Sequence, residues 1–347
     1  MWAGSFRAVS FNPTYYIPHT PPESPYFKTP DPGIRPHAGP YGGVRLHFAS
    51  RITHHASRVT FCMNEFQLID RFFKRARTRA DVIVGIGDDA ALVKPDADAA
   101  VLSALAVLSA PTGELPDGAR FARALARTAL NRLAAQGASP AWITLGLTLA
   151  EADSAWLEAF SAALEAAIEP HGAVLIGGDT TQGPTTATLI AHGPAPAARR
   201  DDVAPPRPGD AIYVSGKLGS AAAAKNNNSG MSDPRPARVN EGRTAWPFTA
   251  AAGDLRESLA ASLLRIIGRY GLGAEINSGR LPVSAAGAEI LARSGGARII
   301  VDVSADAELC FVVGAGREVA FENAMAQFES GCTRIGRVVD KTGVHLS

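Results

Sequence analysis

Cysteine is scarce in this chain: its 347 residues include only three, Cys62, Cys310 and Cys332. Their odd number and wide spacing argue against a disulfide framework, and they provide none of the paired spacings of a zinc site. We therefore expect a protein of a reducing compartment, with a cytoplasmic location.

An excess of either charge is also missing. The 34 Lys and Arg residues nearly balance the 33 Asp and Glu residues, so no global field attracts nucleic acid or anionic lipid. Long apolar runs are absent too, because Arg, Asp or Glu interrupts the Ala-rich stretches. The sequence predicts neither a nucleic-acid-binding nor a membrane-spanning protein. With 46% hydrophobic residues, the chain is long enough to bury the cores of two ordinary domains.

The first 62 residues lack the hydrophobic periodicity of helices and strands. They are rich in Pro, Gly and Tyr, and they have no apolar core of a secretory signal peptide. The composition then changes abruptly to MNEFQLIDRFF, a predicted helix with Asn64 as its N-cap and its apolar residues, Phe66 included, on one face. We interpret residues 1–62 as disordered or as an over-extended reading frame that truly starts at Met63. A Pro-rich docking arm is the alternative.

Beyond Met63, predicted helices and strands mix in two groups. The breaker-rich segment AARRDDVAPPRPGD separates the groups, so we place a domain boundary there. The sequence thus predicts an α+β protein with an N-terminal domain over residues 63–205 and a C-terminal domain over residues 206–347. In the second domain, ARIIVDV and ELCFVVG are predicted strands, and KNNNSGMSDPRPARVNEGR is a predicted mobile loop.

Two segments, GIGDDA and IGGDTT, combine glycine with aspartate directly after a predicted buried strand. Glycine lets the backbone approach a ligand closely, and unpaired backbone N–H groups can hold phosphate oxygens. Carboxylates beside phosphate would repel it unless Mg²⁺ bridges the two. An ordinary Gly-Asp turn is the alternative for either segment taken alone.

Several segments occur in the order and spacing of one enzyme family. They include MNEFQLIDRFF, VGIGDDAALV, LAAQGASPAWITLGLTL, LIGGDTTQGP, PGDAIYVSGKLGSAA, ELCFVV and TRIGRVV. Over residues 63 to 340 the chain resembles bacterial thiamine-monophosphate kinase, of the aminoimidazole ribonucleotide synthetase superfamily. The resemblance implies transfer of the γ-phosphoryl group of ATP, with Mg²⁺, to thiamine phosphate. It also implies a two-domain synthetase-like fold and a homodimer, in which N-terminal strands of two subunits form a barrel.

The resemblance further implies roles for both acidic segments. Three carboxylates would face Mg²⁺: Asp88, Asp89 and Asp179. The phosphates of the nucleotide would contact residues of both segments and one arginine: Gly87, Gly177, Gly178, Asp179, Thr180, Thr181 and Arg200. No residue is assigned to proton transfer or nucleophilic attack.

At several acids the chain departs from the family pattern. Ala104 stands where the family has the Asp of Thr-Thr-Asp, and Arg132 replaces the Asp of Ser-Asp-Leu-Ala-Ala-Met-Gly. Glu257 takes the Asp position of Ser-Asp-Gly-Leu. Ala307 replaces the aromatic residue of Gly-Asp-Asp-Tyr, in which Asp306 is retained. Two placements are open for Arg132: direct contact with a phosphate, or a side chain turned into solvent.

These departures leave three functions open. The first is an ATP-dependent thiamine-phosphate kinase with a depleted set of metal-binding acids. The second is a catalytically silent paralogue that binds a phosphorylated ligand or a partner protein. The third is a changed reaction on another phosphorylated metabolite.

Overall fold

The structure is a computed structural model that describes residues 64–74, 78–111, 113–196, 204–226, 235–294, 296–303 and 306–347. The predicted N-terminal extension, residues 1–62, lies outside these ranges, as does Met63. The described residues belong to one compact unit, Thr60–Ser347. None of the helices in these ranges has both the length and the apolar character that a membrane crossing requires.

The N-terminal part of the compact unit is built around a four-stranded sheet. Its elements in chain order are α1 (Glu65–Leu68), a π-helical turn (Ile69–Phe73), β1 (Val82–Val84), β2 (Leu92–Val93), β3 (Val101–Ser109), α2 (Gly118–Ala134), β4 (Trp142–Leu149), α3 (Ser154–Ile168), β5 (Val174–Gln182) and β6 (Thr186–Pro194). The sheet has the order β3-β6-β4-β5, in which β4 and β5 are parallel and the other pairs are antiparallel. Strands β1 and β2 form a separate antiparallel pair.

Helices α2 and α3 cover one face of this sheet. The carboxylate of Asp117 accepts a hydrogen bond from the backbone N–H of Arg120 and so caps α2. The helix ends because Gly137 adopts a left-handed conformation with a φ of 78°. Trp156 and Phe160 of α3 stack at 4.9 Å between ring centroids and point into the core, as the helical periodicity predicts.

The opposite face of the four-stranded sheet carries exposed apolar side chains. Val101, Leu105 and Val107 of β3 are 42%, 45% and 56% exposed. They alternate with buried or half-buried residues, as expected for a strand that is covered on one side. Among the described residues, β3 therefore exposes apolar side chains on this face, with the exposed Ser103 between Val101 and Leu105.

The C-terminal part contains a six-stranded sheet and its helices. The elements in chain order are β7 (Ala211–Ser215), α4 (Ser220–Asn226), α5 (Val239–Ala245), β8 (Thr249–Asp254), α6 (Leu259–Ile267), β9 (Gly273–Ile276), α7 (Ala285–Ser294), α8 (Arg298–Val303), β10 (Leu309–Val313), α9 (Glu318–Met325), β11 (Cys332–Val339) and β12 (Val344–Leu346). Short 3₁₀ turns occupy Trp246–Phe248, Gly268–Tyr270 and Ser278–Arg280 in this part, and Glu169–His171 in the N-terminal part. The sheet order is β12-β9-β11-β7-β10-β8, and only the β12–β9 pair is parallel.

Two expectations for this part are wrong. ARIIVDV contains the helix α8, not a strand, since a short apolar run has no periodicity that separates a strand from a buried helix. The end of the predicted mobile loop, VNEGR, begins α5, whose residue Val239 is buried against the N-terminal core. The strand predicted from ELCFVVG is confirmed as the fully buried β10. The domain boundary near residue 205 stays a prediction, and apolar packing crosses it, because Val239 joins the N-terminal core and Ala135 packs with residues of the C-terminal sheet.

Candidate functional site

Both acidic segments line one cleft with a volume of about 690 Å³. The α1 helix and the following π-helical turn form one wall. The turn after β1 and the middle of β5 form the other. The fold therefore brings together two segments that lie about 90 residues apart in the chain.

Most of the predicted site residues lie in this cleft. Those that line it are Gly87, Asp88, Asp89, Gly177, Gly178, Asp179 and Thr180. Thr181 is not among the lining residues, and its hydroxyl lies 2.9 Å from that of Thr148 on β4. Arg200 lies outside the described residues. That these residues bind metal or phosphate stays a prediction.

The second acidic segment is part of a strand, not a turn after one. Strand β5 continues to Gln182 and pairs with β4 in parallel, with Gly178 opposite Leu145. A Cβ atom at Gly178 would collide with the carbonyl oxygen of Leu145, so only glycine allows this close approach. Because β5 is an edge strand of the sheet, one side of its backbone has no neighbouring strand among the described residues. The sheet thus fixes the backbone of Asp179 at an edge that a ligand can approach.

The first acidic segment is a turn, as predicted, but the strand before it is not buried. Ile83 of β1 is 58% exposed. Gly87 has a φ of 119°, which glycine adopts at little cost. The backbone N–H of Asp89 donates to the Asp88 carboxylate at 2.9 Å, which fixes the Asp88 side chain beside the turn.

A contact among three side chains anchors the start of β1. Arg79 donates two hydrogen bonds to the Asp81 carboxylate, at 3.0 and 2.9 Å, and a third to the carbonyl oxygen of Gly172 at 2.7 Å. The indole N–H of Trp142 on β4 also donates to Asp81, at 3.2 Å. The hydrogen bonds from Arg79 lower the pKa of Asp81 despite the opposing effect of burial. This arrangement fixes the glycine turn against the sheet.

Three cleft residues from the N-terminal wall were missed by the sequence analysis as site residues. Phe66 is 78% exposed, although the helical pattern placed it on the apolar face. The Lys74 ammonium lies 3.3 Å from the Asp70 carboxylate. The same ammonium would lie 3.7 Å from a Cβ atom at Gly87, so it is next to the glycine turn. The π-helical turn changes the phase of the helix after Leu68, so a uniform helical period could not predict these orientations.

A fourth missed residue, Glu65, joins the two walls. Its carboxylate accepts a hydrogen bond from the Thr180 hydroxyl at 3.1 Å. No local motif marks this contact, because its two residues are 115 positions apart. The contact holds α1 against β5 at the mouth of the cleft.

The cleft is strongly acidic. Five carboxylates line it with a single lysine, Lys74; they are Glu65, Asp70, Asp88, Asp89 and Asp179. Among the described residues, no three potential ligands are already gathered tightly enough to hold a metal ion. Mg²⁺ commonly takes one or two carboxylates and completes its shell with phosphates and water. The carboxylates of the cleft therefore fit a Mg²⁺ ion that arrives with a phosphate ligand.

The residues that depart from the family pattern do not line this cleft. Arg132 is only 20% exposed and forms an ion pair with Asp254, with its Nε 3.2 Å from a carboxylate oxygen. Of the two placements left open for Arg132, a side chain turned into solvent is therefore wrong, and direct contact with a phosphate stays a prediction. Asp306 accepts hydrogen bonds from the backbone N–H groups of Gly219 and Ala221, at the start of α4. Ala307 has a φ of 53°, unusual for a residue with a Cβ atom.

Comparison with known proteins agrees with this architecture. The family model for the AIR synthase related protein, N-terminal domain, matches residues 87–194. The thiamine-monophosphate kinase of Salmonella typhimurium is 37% identical over 293 residues, which cover 79% of this chain and 90% of that protein.

Solved structures lead to the same family. The thiamine-monophosphate kinase from Stenotrophomonas maltophilia K279a matches with a TM-score of 0.69 and 33% identity, over 78% of this chain and 92% of that one. AaThiL complexed with AMPPCP and TMP shares the fold, with a TM-score of 0.61 and 22% identity, over 83% and 96% of the two chains. The predicted α+β, aminoimidazole ribonucleotide synthetase-like fold is thus confirmed. This chain belongs to the thiamine-monophosphate kinase family.

Proposed function

We propose that this protein transfers the γ-phosphoryl group of ATP to thiamine monophosphate, giving thiamine diphosphate and ADP. Membership of the thiamine-monophosphate kinase family supports the reaction. A related chain of the same fold was solved with AMPPCP and TMP. The cytoplasmic location expected from the cysteine content is part of the proposal.

The observation that carries this proposal is the convergence of both acidic segments in one cleft. Five carboxylates and one lysine would repel a bare triphosphate, since two like charges 4 Å apart interact by about 4 kcal/mol at an effective dielectric of 20. The same cleft suits a nucleotide that is accompanied by cations. An acidic site next to an open strand edge is what a metal–nucleotide complex requires.

We assign the metal contacts to Asp88, Asp89 and Asp179, whose carboxylates are exposed to the cleft. Bound Mg²⁺ would neutralise phosphate charge as it shifts during transfer. The backbone of Gly177 and Gly178 lies at the sheet edge, where its polar groups can contact phosphate oxygens.

We assign two further contacts to the wall that the sequence analysis missed. The Lys74 ammonium lies beside the Gly87 turn and is positioned to contact a phosphate oxygen. Phe66 presents an exposed ring at the cleft and is suited to stack against an aromatic ring of a substrate. Thr180, held by Glu65, and its neighbour Thr181 offer hydroxyl groups at the same strand.

The chemistry of the acceptor makes a catalytic base unnecessary. The attacking oxygen belongs to a phosphate monoester, whose second pKa is about 6, so it is largely ionised at neutral pH. A new P–O bond forms to the γ-phosphorus while the bond to the β–γ bridging oxygen breaks, and ADP leaves with that electron pair. The protein must therefore position two polyanions and screen their repulsion, and it need not remove a proton.

We also propose a homodimer that covers the exposed apolar side chains of β3. Val101, Leu105 and Val107 form a row of exposed apolar side chains along β3. Exposed apolar side chains grouped on one strand are typical of an interface between proteins. The mass of the full chain in solution tests this part of the proposal separately from activity.

The proposed activity is tested by ADP release from the full chain with Mg²⁺-ATP, with and without thiamine monophosphate. We expect ADP release that depends on the acceptor, and a loss of about a hundredfold in kcat/KM for Asp88→Asn and for Asp179→Asn. Asp302→Asn is the matched control, because Asp302 is an exposed aspartate on α8 that does not line the cleft. ADP release that is equal with and without the acceptor would contradict the proposal.

A silent or repurposed paralogue is the second candidate. The ion pair between Arg132 and Asp254 favours it, because an arginine takes the place of an acid of the family pattern. This candidate predicts no turnover of thiamine monophosphate, and binding of a phosphorylated ligand that EDTA does not weaken. Titration calorimetry with and without EDTA separates the two candidates.

A further inference from the structure

The last turn of α2 lies between the two sheets. Asn131 is fully buried there, and its amide N–H donates to the carbonyl oxygen of Ala307 at 2.7 Å. Its amide oxygen accepts from the backbone N–H of Arg238, also at 2.7 Å. A Cβ atom at Gly242 would lie 2.7 Å from the backbone of Ala134, so α5 packs closely against the same turn. This turn joins the N-terminal and C-terminal parts of the compact unit.

The next residue, Arg132, adds an ionic contact at the same place. Its Nε donates to the Asp254 carboxylate at 3.2 Å, and its Nη1 donates to the carbonyl oxygen of Leu105 on β3. Arg265 of α6 donates to the other oxygen of Asp254, at 3.0 Å. Asp254 is 2% exposed, so this carboxylate at the end of β8 lies between two guanidinium groups.

A buried carboxylate requires nearby positive charge. A divalent cation can supply it, but only where several oxygen ligands converge. The described residues around Asp254 provide two arginines and no cluster of three possible metal ligands. The donors at this position therefore do not fit a metal ion.

The contact is separate from the acidic cleft within one chain. In the register of the sheet, Leu105 pairs with Ile190, Ile190 with Thr144, and Thr144 with Gly177. Three strand spacings of about 4.8 Å place the backbone of Leu105 about 14 Å from that of Gly177. Arg132 is thus anchored at the sheet edge opposite to β5.

We propose that Arg132 and Arg265 take the place of a bound cation at Asp254 and make the junction between the two sheets independent of metal. Arg132 connects α2, β3 and β8 through one side chain, and Asn131 fixes the same turn to Ala307 and Arg238. The metal requirement of the protein is then confined to the acidic cleft. The junction keeps its geometry whether or not the cleft holds Mg²⁺.

The test is thermal unfolding of the full chain in EDTA and in excess MgCl₂, without nucleotide. We expect EDTA to leave the melting temperature of the natural protein unchanged. Arg132→Ala leaves Asp254 with one partner and should lower the melting temperature by about 5–10 °C in both buffers. Arg298→Ala is the matched control: it removes an exposed arginine–aspartate pair on α8 and should shift the melting temperature by about 2 °C or less.

A variant that needs metal tests whether the arginine charge takes the place of a cation at Asp254. Arg132→Asp places a second carboxylate next to Asp254, so its melting temperature should be low in EDTA and should recover partly in MgCl₂. Arg132→Lys keeps the positive charge but loses the guanidinium group that contacts both Asp254 and Leu105. Its melting temperature should therefore fall less than that of Arg132→Ala. A general packing role for residue 132 would not produce recovery by Mg²⁺.

Three results would overturn the proposal. The first is equal melting temperatures for Arg132→Ala and Arg298→Ala. The second is a natural protein that EDTA destabilises as much as Arg132→Ala does. The third is an Arg132→Asp variant with the same melting temperature in both buffers. If Arg132→Ala does not fold, Arg132→Lys and the natural protein still decide the outcome. None of these measurements uses turnover, so they stand apart from the proposed kinase activity.

Discussion

Two neighbouring glycines on β5 should respond in opposite ways to the same substitution. A Cβ atom at Gly178 would collide with the carbonyl oxygen of Leu145 and lie 2.7 Å from its carbonyl carbon. A Cβ atom at Gly177 meets nothing closer than the Cβ atom of Ala91, at 3.9 Å, which is an ordinary contact. The two glycines share one strand and one cleft, so the comparison tests the close approach of β5 to β4 together with the positive φ of 157° at Gly178.

The magnitude follows from which atoms collide. Forcing additional atoms into a packed site costs about 1–3 kcal/mol. Gly178→Ala should reach the upper end of that range, because the Leu145 backbone cannot rotate away as a side chain could. At about 2–4 °C per kcal/mol, the melting temperature should fall by about 6–12 °C. Gly177→Ala should stabilise the protein by about 0.4–1 kcal/mol, because alanine reduces the entropy of the unfolded chain.

Differential scanning calorimetry of the two variants and the natural protein is the assay. The expected order of melting temperatures is Gly177→Ala at or above the natural protein, with Gly178→Ala well below both. Equal melting temperatures for the two variants would refute the argument that β5 runs in direct contact with β4 through the acidic segment. That result would place IGGDTT after the strand, as the sequence pattern predicted.

Three further predictions concern charge and pH. The pKa of Asp81 is lowered in the folded protein. Its carboxylate therefore stabilises the fold fully above its unfolded pKa of about 3.9, and this stabilisation is lost as the pH falls through the folded pKa. The loss of stability in Asp81→Asn, measured by urea unfolding, should shrink below about pH 4. Burial lowers the pKa of His192, which lies between the Ser103 and Thr144 hydroxyls. The free energy of unfolding should therefore fall as the pH drops below about 6.5, and His192→Gln should remove part of that pH dependence. Lys74→Met should raise the KM for ATP about tenfold in steady-state assays, because the variant loses a charged contact to phosphate. An unchanged KM would show that Lys74 does not contact ATP.

The sequence could identify the two acidic segments because their signal is local. Glycine followed by aspartate next to an apolar run marks a backbone suited to a ligand, whatever the rest of the fold. The prediction that Asp88 and Asp179 lie in one cleft came from the family resemblance. Local sequence signals could not provide it, because it depends on the packing of α1 and β1 against β5. The exact form of the second segment could not be predicted, since glycine is depleted in strands and the pairing of β5 with β4 overrides that preference.

The missed cleft residues show a different limit. Phe66 belongs to an apolar helical pattern, and such a pattern predicts burial for each of its members. The π-helical turn that follows Leu68 breaks the pattern, and no residue type in IDRFF marks a turn of that kind. Lys74 carries no motif at all. Its assignment depends only on its distance from the Gly87 turn, which the fold determines.

Two of the departures from the family pattern, Arg132 and Ala307, and the retained Asp306 all make contacts within the protein. Arg132 pairs with Asp254, while Asp306 caps α4 and the carbonyl oxygen of Ala307 accepts a hydrogen bond from Asn131. Each of these contacts connects protein to protein, and all of them lie away from the acidic cleft. A loss of function by random change would be expected to remove cleft acids as readily as acids elsewhere. Because five carboxylates line the cleft and the contacts at the junction are ionic, we favour the proposed kinase with fewer metal contacts over a silent paralogue.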